Sequence, residues 1–164
     1  MALNDEQLER EIASIRNHCD LSSHYYGRLV NWTDPVVWHY GIGLSDTHIF
    51  DTGSGLCTFR FGCRPKLVIG VDDALFSPAQ TIERLIHALR VFRHWNYGLL
   101  GWNCEHLARL VATDDPISFE VLKAPWPVPS FNHDGRHPTA RHELSEHIRA
   151  HAPEVLVRRP GSRP

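Results

Sequence analysis

Two segments of this sequence hold residue types that together could form an activated nucleophile. Cys104 follows Asn103 at a predicted helix start, and His39 lies in an apolar run, 36–44, that is typical of a buried strand. A thiol at a helix N-terminus faces unpaired backbone N–H groups and the positive end of the helix dipole, which favour the thiolate. A histidine beside that sulfur would accept its proton. If the two segments meet, the sequence predicts a cysteine enzyme.

Each of these two residues also has a purely structural interpretation. Free cysteine is among the most buried residue types, so Cys104 alone is also typical of a core position. A histidine in an apolar strand is more often a hydrogen-bonded core residue than a base. On a strand, His39 and Gly41 share one face while Tyr40 points to the other. The glycine indicates close approach of backbone or ligand on the His39 face.

Composition and charge limit the class of protein. The chain has 164 residues, 42% of them hydrophobic and 22% charged, which predicts one globular domain. Its net charge of -2 with histidine neutral gives no basic field, so we expect no nucleic-acid partner. No apolar run is long enough to span a bilayer, and residues 1–19 are polar and charged. These features predict a cytoplasmic protein with reduced thiols.

The cysteines have no spacing typical of a metal site or a redox pair. They stand at Cys19, Cys57, Cys63 and Cys104, with no CxxC motif. We therefore expect no cofactor. A mixed-ligand zinc site is the alternative, and it would use His39, His48, Asp51 and Cys104.

Three helices are predicted from capping signals and apolar spacing. The first covers Asn4–His18 and the second Pro78–His94, each opened by an N-cap residue with glutamine three positions later. The third begins at Asn103 and stops before Pro116. Four strands are predicted over 36–44, 47–51, 58–61 and 67–71. The expected fold is α+β, with a small antiparallel sheet of four or more strands packed against the second and third helices.

The composition changes at Pro125, where prolines and then histidines become frequent. This predicts a catalytic domain over 1–124 and a loosely attached tail over 125–164, with a short helix over 141–151.

Two motifs within residues 36–112 resemble the signatures of one known family. The run His39-Tyr40-Gly41-Ile42-Gly43-Leu44 and the run Tyr97–His106, read as YxLLxxNCEH, resemble those of the lecithin:retinol acyltransferase-like family. The resemblance implies a circularly permuted papain-like cysteine fold. It also implies a thiolate nucleophile at Cys104, a general base at His39 and a thioester intermediate.

The third catalytic position of that family falls at Asp51 in this sequence, where the family usually has another histidine. A carboxylate that accepts a hydrogen bond from the distal ring nitrogen would fix the tautomer and stabilise the imidazolium. His48 is the alternative, but on a regular strand it points away from the Asp51 face. We expect Asp51 to take this role.

Three neighbouring residues are candidates for supporting roles. The side chain of Asn103 caps the helix and could assist an oxyanion, and Tyr40 could donate a hydrogen bond near the pocket. We expect His106 to be structural and to hold its helix against the sheet.

These residues predict an acyltransferase or thiol hydrolase that acts on an ester or amide through a cysteine acyl-enzyme. Its partner would be a small-molecule, lipid or peptide acyl substrate. Animal members of the resembled family act on phospholipid acyl chains, and several carry a C-terminal membrane anchor that we do not expect here. The alternative is a non-catalytic binding or regulatory module that keeps the same fold.

Overall fold

The computed structural model describes residues 3–34, 37–52, 55–58, 65–69, 74–96, 98, 102–123 and 135–158. Its helices are α1 (Asp5–His18), α2 (Pro78–Phe92), α3 (Cys104–Thr113), α4 (Phe119–Lys123) and α5 (Ala140–His151), and a 3₁₀ turn covers Pro153–Leu156. Its strands are β1 (Leu29–Asp34), β2 (Val37–Gly43), β3 (His48–Asp51), β4 (Gly55–Thr58) and β5 (Lys66–Leu67). The strands form one sheet in the order β4-β3-β2-β1-β5, and the described pairings are antiparallel. The expected α+β class is confirmed.

The starts of the first two helices follow from their capping residues. Asn4 accepts a hydrogen bond from the Gln7 backbone N–H at 2.8 Å, and Gln7 accepts one from the Asn4 N–H at 3.0 Å. Ser77 and Gln80 form the same reciprocal pair before α2, at 3.3 and 2.9 Å. These side chains satisfy amides that have no partner inside the helix. The predicted starts are confirmed, although α2 ends at Phe92 instead of His94.

The strands differ more from their predicted bounds. β2 and β3 lie where the sequence predicts them, but β1 falls largely in a segment without clear periodicity. Leu29 and Val30 on adjacent β1 positions are both buried, so this strand begins without the apolar–polar alternation that would reveal it. The predicted strands 58–61 and 67–71 lie earlier, as β4 and β5, and residues 59–61 and 70–71 are outside the described ranges.

One face of the sheet packs against the helices and forms the core. Leu29, Ile42 and Phe50 are neighbours across β1, β2 and β3, and each is at most 3% exposed. They share one apolar cluster with residues of α1, α2, α3 and α5. α3 packs against β2, the strand that carries His39.

Within 125–164, residues 135–158 pack against the rest of the described chain, which differs from a loosely attached tail. The helix predicted over 141–151 is confirmed as α5, but it packs against α2. Ala140, Leu144 and Ile148 form a stripe at every fourth position, and each is 0% exposed. Because many histidines and arginines surround this narrow stripe, its apolar periodicity is weak in the sequence.

Candidate functional site

Cys104 is the first residue of α3, as predicted. Asn103 has the extended backbone of an N-cap, and its Oδ1 accepts a hydrogen bond from the His106 N–H at 3.1 Å. The thiol therefore lies in the first turn of a helix, where the positive end of the helix dipole stabilises a negative sulfur. Cys104 is 3% exposed and forms no disulfide.

His39 lies on β2 and stacks on Trp32 of β1. The two residues are directly paired, with ring centroids 5.4 Å apart and an interplanar angle of 15°. Tyr40 follows His39 and so points to the opposite face. The Arg109 guanidinium of α3 lies 5.4 Å from the Tyr40 ring centroid. The described side-chain contact between α3 and β2 thus involves Tyr40, and the pairing of Cys104 with His39 stays a prediction.

The strand register brings Asp51 and His39 to one face of the sheet. Gly43 is paired with Ile49, and two positions along each strand return to the same face. Asp51 is 4% exposed, so its carboxylate is almost fully buried. A buried acid on the His39 face is compatible with the orienting role predicted for it.

His48 lies on the other face, against the end of α1. Its ring centroid is 4.2 Å from that of His18, and its Nδ1 is 2.9 Å from Thr47 Oγ1. Burial lowers the pKa of His48, and the neighbouring charge of His18 lowers it further. These contacts hold His48 against α1, on the face of the sheet opposite His39. Asp51 therefore stays the prediction for the third catalytic residue.

His106 is held by contacts outside the sheet. Its Nε2 donates to the Gly135 carbonyl oxygen at 3.0 Å, and its ring stacks on Trp102 with centroids 5.9 Å apart. Burial lowers the pKa of His106 to about 4, so the ring is neutral at pH 7. Since a carbonyl can only accept, Nε2 carries the proton and Nδ1 accepts from the Asn103 N–H at 3.4 Å. His106 therefore ties α3 to the segment before α5.

The sequence-based reasoning missed a buried polar network around Glu105, whose side chain is 0% exposed. Arg109 Nε donates to Glu105 Oε1 at 2.8 Å, and Ser118 Oγ donates to Oε2 at 3.0 Å. The Glu120 backbone N–H also donates to Oε2, at 3.2 Å. This network attaches the first turn of α3 to α4. Its one sequence signal was the spacing of Glu105 and Arg109, which are four residues apart on a helix.

Glu120 is a second carboxyl that the sequence did not single out. Burial raises its pKa, and the charge of Glu105 raises it further, whereas His39 and the Trp38 backbone N–H lower it. Glu120 therefore lies within electrostatic reach of His39. The helix that carries it, α4, has only five residues, and Ser118 before it accepts a hydrogen bond from the Val121 backbone N–H at 3.3 Å, as an N-cap does.

The described residues show neither a metal site nor a membrane-spanning helix, and comparison with known proteins identifies no relative. Within the described ranges, no three His, Cys, Asp or Glu side chains are grouped as a metal site requires. None of the helices in that part of the chain is both long and apolar enough to cross a membrane. No family model, curated protein or solved structure matches this chain. The class established here is an α+β domain with a cysteine at a capped helix start.

Proposed function

We propose that this protein is a cysteine-dependent acyl-transfer enzyme with the permuted papain-like fold of the lecithin:retinol acyltransferase-like family. The observation that carries the proposal is the position of Cys104 at the start of α3, a helix that packs against the strand of His39. Helix N-termini lower thiol pKa values and present amides to a developing oxyanion. The two sequence motifs that resemble this family contain the same two residues.

In the proposed reaction, a nitrogen of His39 accepts the Cys104 proton and the thiolate attacks the carbonyl carbon of an ester or amide. Backbone N–H groups of the first turn of α3 donate to the oxyanion. The His39 imidazolium gives its proton to the leaving alcohol or amine, and the acyl group stays on sulfur as a thioester. Water or an acceptor then attacks the thioester and loses its proton to His39, the C–S bond breaks to release the acyl product, and the His39 imidazolium returns the proton to the Cys104 sulfur. Asp51 accepts a hydrogen bond from the other ring nitrogen throughout.

Asn103 has a structural part in this scheme. Its Nδ2 donates to Ser118 Oγ at 3.1 Å and its Oδ1 accepts from the His106 N–H at 3.1 Å. Because both ends of the amide are engaged in holding the helix start, we assign the oxyanion to backbone donors. Asn103 then positions Cys104 without contacting the substrate.

A non-catalytic module with the same fold is the second candidate. It is favoured by the stacking of His39 on Trp32, on the opposite face from Tyr40 and its contact with α3. Cys104 is only 3% exposed, which also favours a non-catalytic module, because the carbonyl of a substrate would have to reach the sulfur.

Hydrolysis of small thioesters, p-nitrophenyl esters and amides separates the two candidates. For the enzyme, Cys104→Ala and His39→Gln should each lower kcat/KM by roughly 10³-fold or more, and the double variant should lose no more than the worse single variant. Cys19→Ala is the matched control and should keep full activity. Intact mass of the thioester-treated protein should show an acyl group on Cys104.

Alkylation gives an independent measurement on the same cysteines. Iodoacetamide at about pH 6 should modify Cys104 faster than Cys19, because only thiolate reacts. Burial is the main cause that raises the pKa of the Cys19 thiol. No hydrolysis by the wild type, together with equally slow alkylation of both cysteines, would contradict the enzyme and support the module. Equal hydrolysis by wild type and Cys104→Ala would also exclude a role for this sulfur.

A further inference from the structure

A cleft beside the C-terminal end of α3 has the volume and charge of a small-molecule site. It encloses about 560 Å³, and its described lining includes four arginines and two aspartates. The arginines are Arg109, Arg136, Arg141 and Arg158, and the aspartates are Asp114 and Asp115. The net charge of these lining side chains is therefore +2. Pockets for small ligands have volumes on the order of 300–1,000 Å³. We call this space the arginine cleft.

Asp114 is shared by three guanidinium groups. Its Oδ1 is 2.9 Å from Nη2 of Arg84, and its Oδ2 is 3.0 Å from Arg141 and 3.4 Å from Arg158. One carboxylate cannot neutralise three cations, and the fully buried Arg84 makes the contact with Oδ1. Excess positive charge therefore remains on Arg141 and Arg158, at the surface of the cleft.

Arg141 and Arg158 still have donors that face solvent. Their side chains are 58% and 44% exposed. A guanidinium has five N–H donors in a fixed planar fork, and the described ion pair of Arg158 uses only Nη2. An anion in the cleft can accept bonds from both side chains while Asp114 keeps its contact with Arg84.

Part of the cleft wall is apolar, and is formed by Ile69, Leu75, Ile117 and Phe119. Phe119 is 41% exposed, and its ring centroid lies 4.6 Å from the Arg109 guanidinium carbon. An anion with an apolar group would cover this wall, whereas a bare inorganic ion would leave it in water.

We propose that the arginine cleft binds a phosphate monoester that carries an apolar group. A phosphate monoester has a charge of about −1.5 to −2 at pH 7, which complements the excess charge of the lining. Guanidinium forks bind phosphate oxygens in pairs, with more directional specificity than an ammonium group. The buried Arg84 and Glu105 behind the lining carry opposite charges, so they leave this balance unchanged. The proposal does not depend on Cys104.

Calorimetric titration of the full chain with phenyl phosphate tests the proposal, with inorganic phosphate as the second probe. Phenyl phosphate should bind saturably at one site and more tightly than inorganic phosphate. Arg141→Gln and Arg158→Gln should each weaken it about tenfold or more, since each removes charge-assisted hydrogen bonds. Arg149→Gln is the matched control, because this exposed arginine of α5 pairs with Glu146 and is not in the described lining. It should bind as the wild type does.

Other outcomes would overturn the proposal. They are the absence of saturable binding of phenyl phosphate, an equal loss in Arg149→Gln, or unchanged affinity in both cleft variants. Equal affinity for the two probes would overturn the part of the proposal that assigns an apolar group. Thermal unfolding of each variant shows whether it is folded. Arg158→Lys keeps the charge but lacks the planar fork, so its affinity for phenyl phosphate should lie between those of wild type and Arg158→Gln. Cys104→Ala should bind phenyl phosphate normally, so failure of this site and failure of the proposed reaction are distinguishable.

Discussion

Nη2 of Arg84 lies 2.9 Å from Oδ1 of Asp114, so a fully buried guanidinium of α2 holds the residue that ends α3. Asp114 has a left-handed backbone, with φ of 61°. Arg84 also donates to the Val111 and Leu110 carbonyls, at 2.8 and 3.0 Å. Carbonyls in the last turn lack helical partners and form the negative end of the helix dipole. The Asp114 backbone N–H also donates to the Leu110 carbonyl, at 3.0 Å, so Arg84 and the backbone of Asp114 together cap this end of the candidate nucleophile's helix.

Replacing this arginine tests the role of the buried contact. Arg84→Met should lower the free energy of unfolding by about 3 kcal/mol, because it removes the buried donor that the Val111 carbonyl and Oδ1 of Asp114 share. Urea denaturation measures the loss. Arg90→Met is the control, since Arg90 lies near Glu9 at the surface and should change stability by less than about 0.5 kcal/mol. Similar losses in the two variants would contradict the role of Arg84.

His106 should make the protein less stable in acid. Its pKa in the folded protein is about 4, against 6.5 for an unburied histidine, so the unfolded chain takes up the proton first. Stability is therefore full above about pH 6.5 and falls as the pH approaches 4, with a contribution from His106 of about 3 kcal/mol. His106→Gln cannot titrate in this range, so its stability should decline less steeply in urea melts at several pH values.

Other buried histidines also lower the stability of the folded protein in acid. The quantity to measure is therefore the difference between the stability–pH profiles of wild type and His106→Gln. Burial also lowers the pKa of His87, His137 and His147. The exposed His142 of α5 provides the control, and His142→Gln should follow the wild-type profile. Parallel profiles for wild type and His106→Gln would show that His106 does not titrate as its burial requires.

Gly41 is needed for packing between strands. A Cβ at this position would overlap the Phe50 backbone carbonyl oxygen and press on the Trp32 ring. Gly41→Ala should therefore destabilise the protein by about 2 kcal/mol in thermal unfolding. Gly98→Ala is the control, since no heavy atom of the described ranges lies within 4 Å of its added carbon. Wild-type stability in Gly41→Ala, with activity lost, would indicate instead that a ligand approaches this glycine.

Leu144 tests the attachment of α5. Leu144→Ala removes a side chain with 0% exposure at the contact with α2, and should lower the free energy of unfolding by about 3 kcal/mol. Chemical denaturation followed by circular dichroism measures this loss. His142→Ala, on the exposed side of the same helix, should have little effect. If Leu144→Ala were equally harmless, α5 would not belong to the cooperative core.

The sequence determined the features that depend on residues close together in the chain. Asn4 with Gln7, Ser77 with Gln80, and Asn103 at the start of α3 are local caps, whose hydrogen bonds join residues three positions apart. The β-branched and aromatic residues of 36–44 placed β2 for a similar reason, since the preference of these residue types for strands is largely local.

Only the tertiary structure decided which of these elements meet and through which side chains. The bond from His106 to Gly135, the ion pair of Arg84 with Asp114 and the docking of α5 join segments far apart in sequence. It also decided that Tyr40 contacts Arg109 of α3, while His39 stacks on Trp32. Such contacts depend on how the helices pack on the sheet, and a polar residue shows no local sign of the distant partner that will satisfy it.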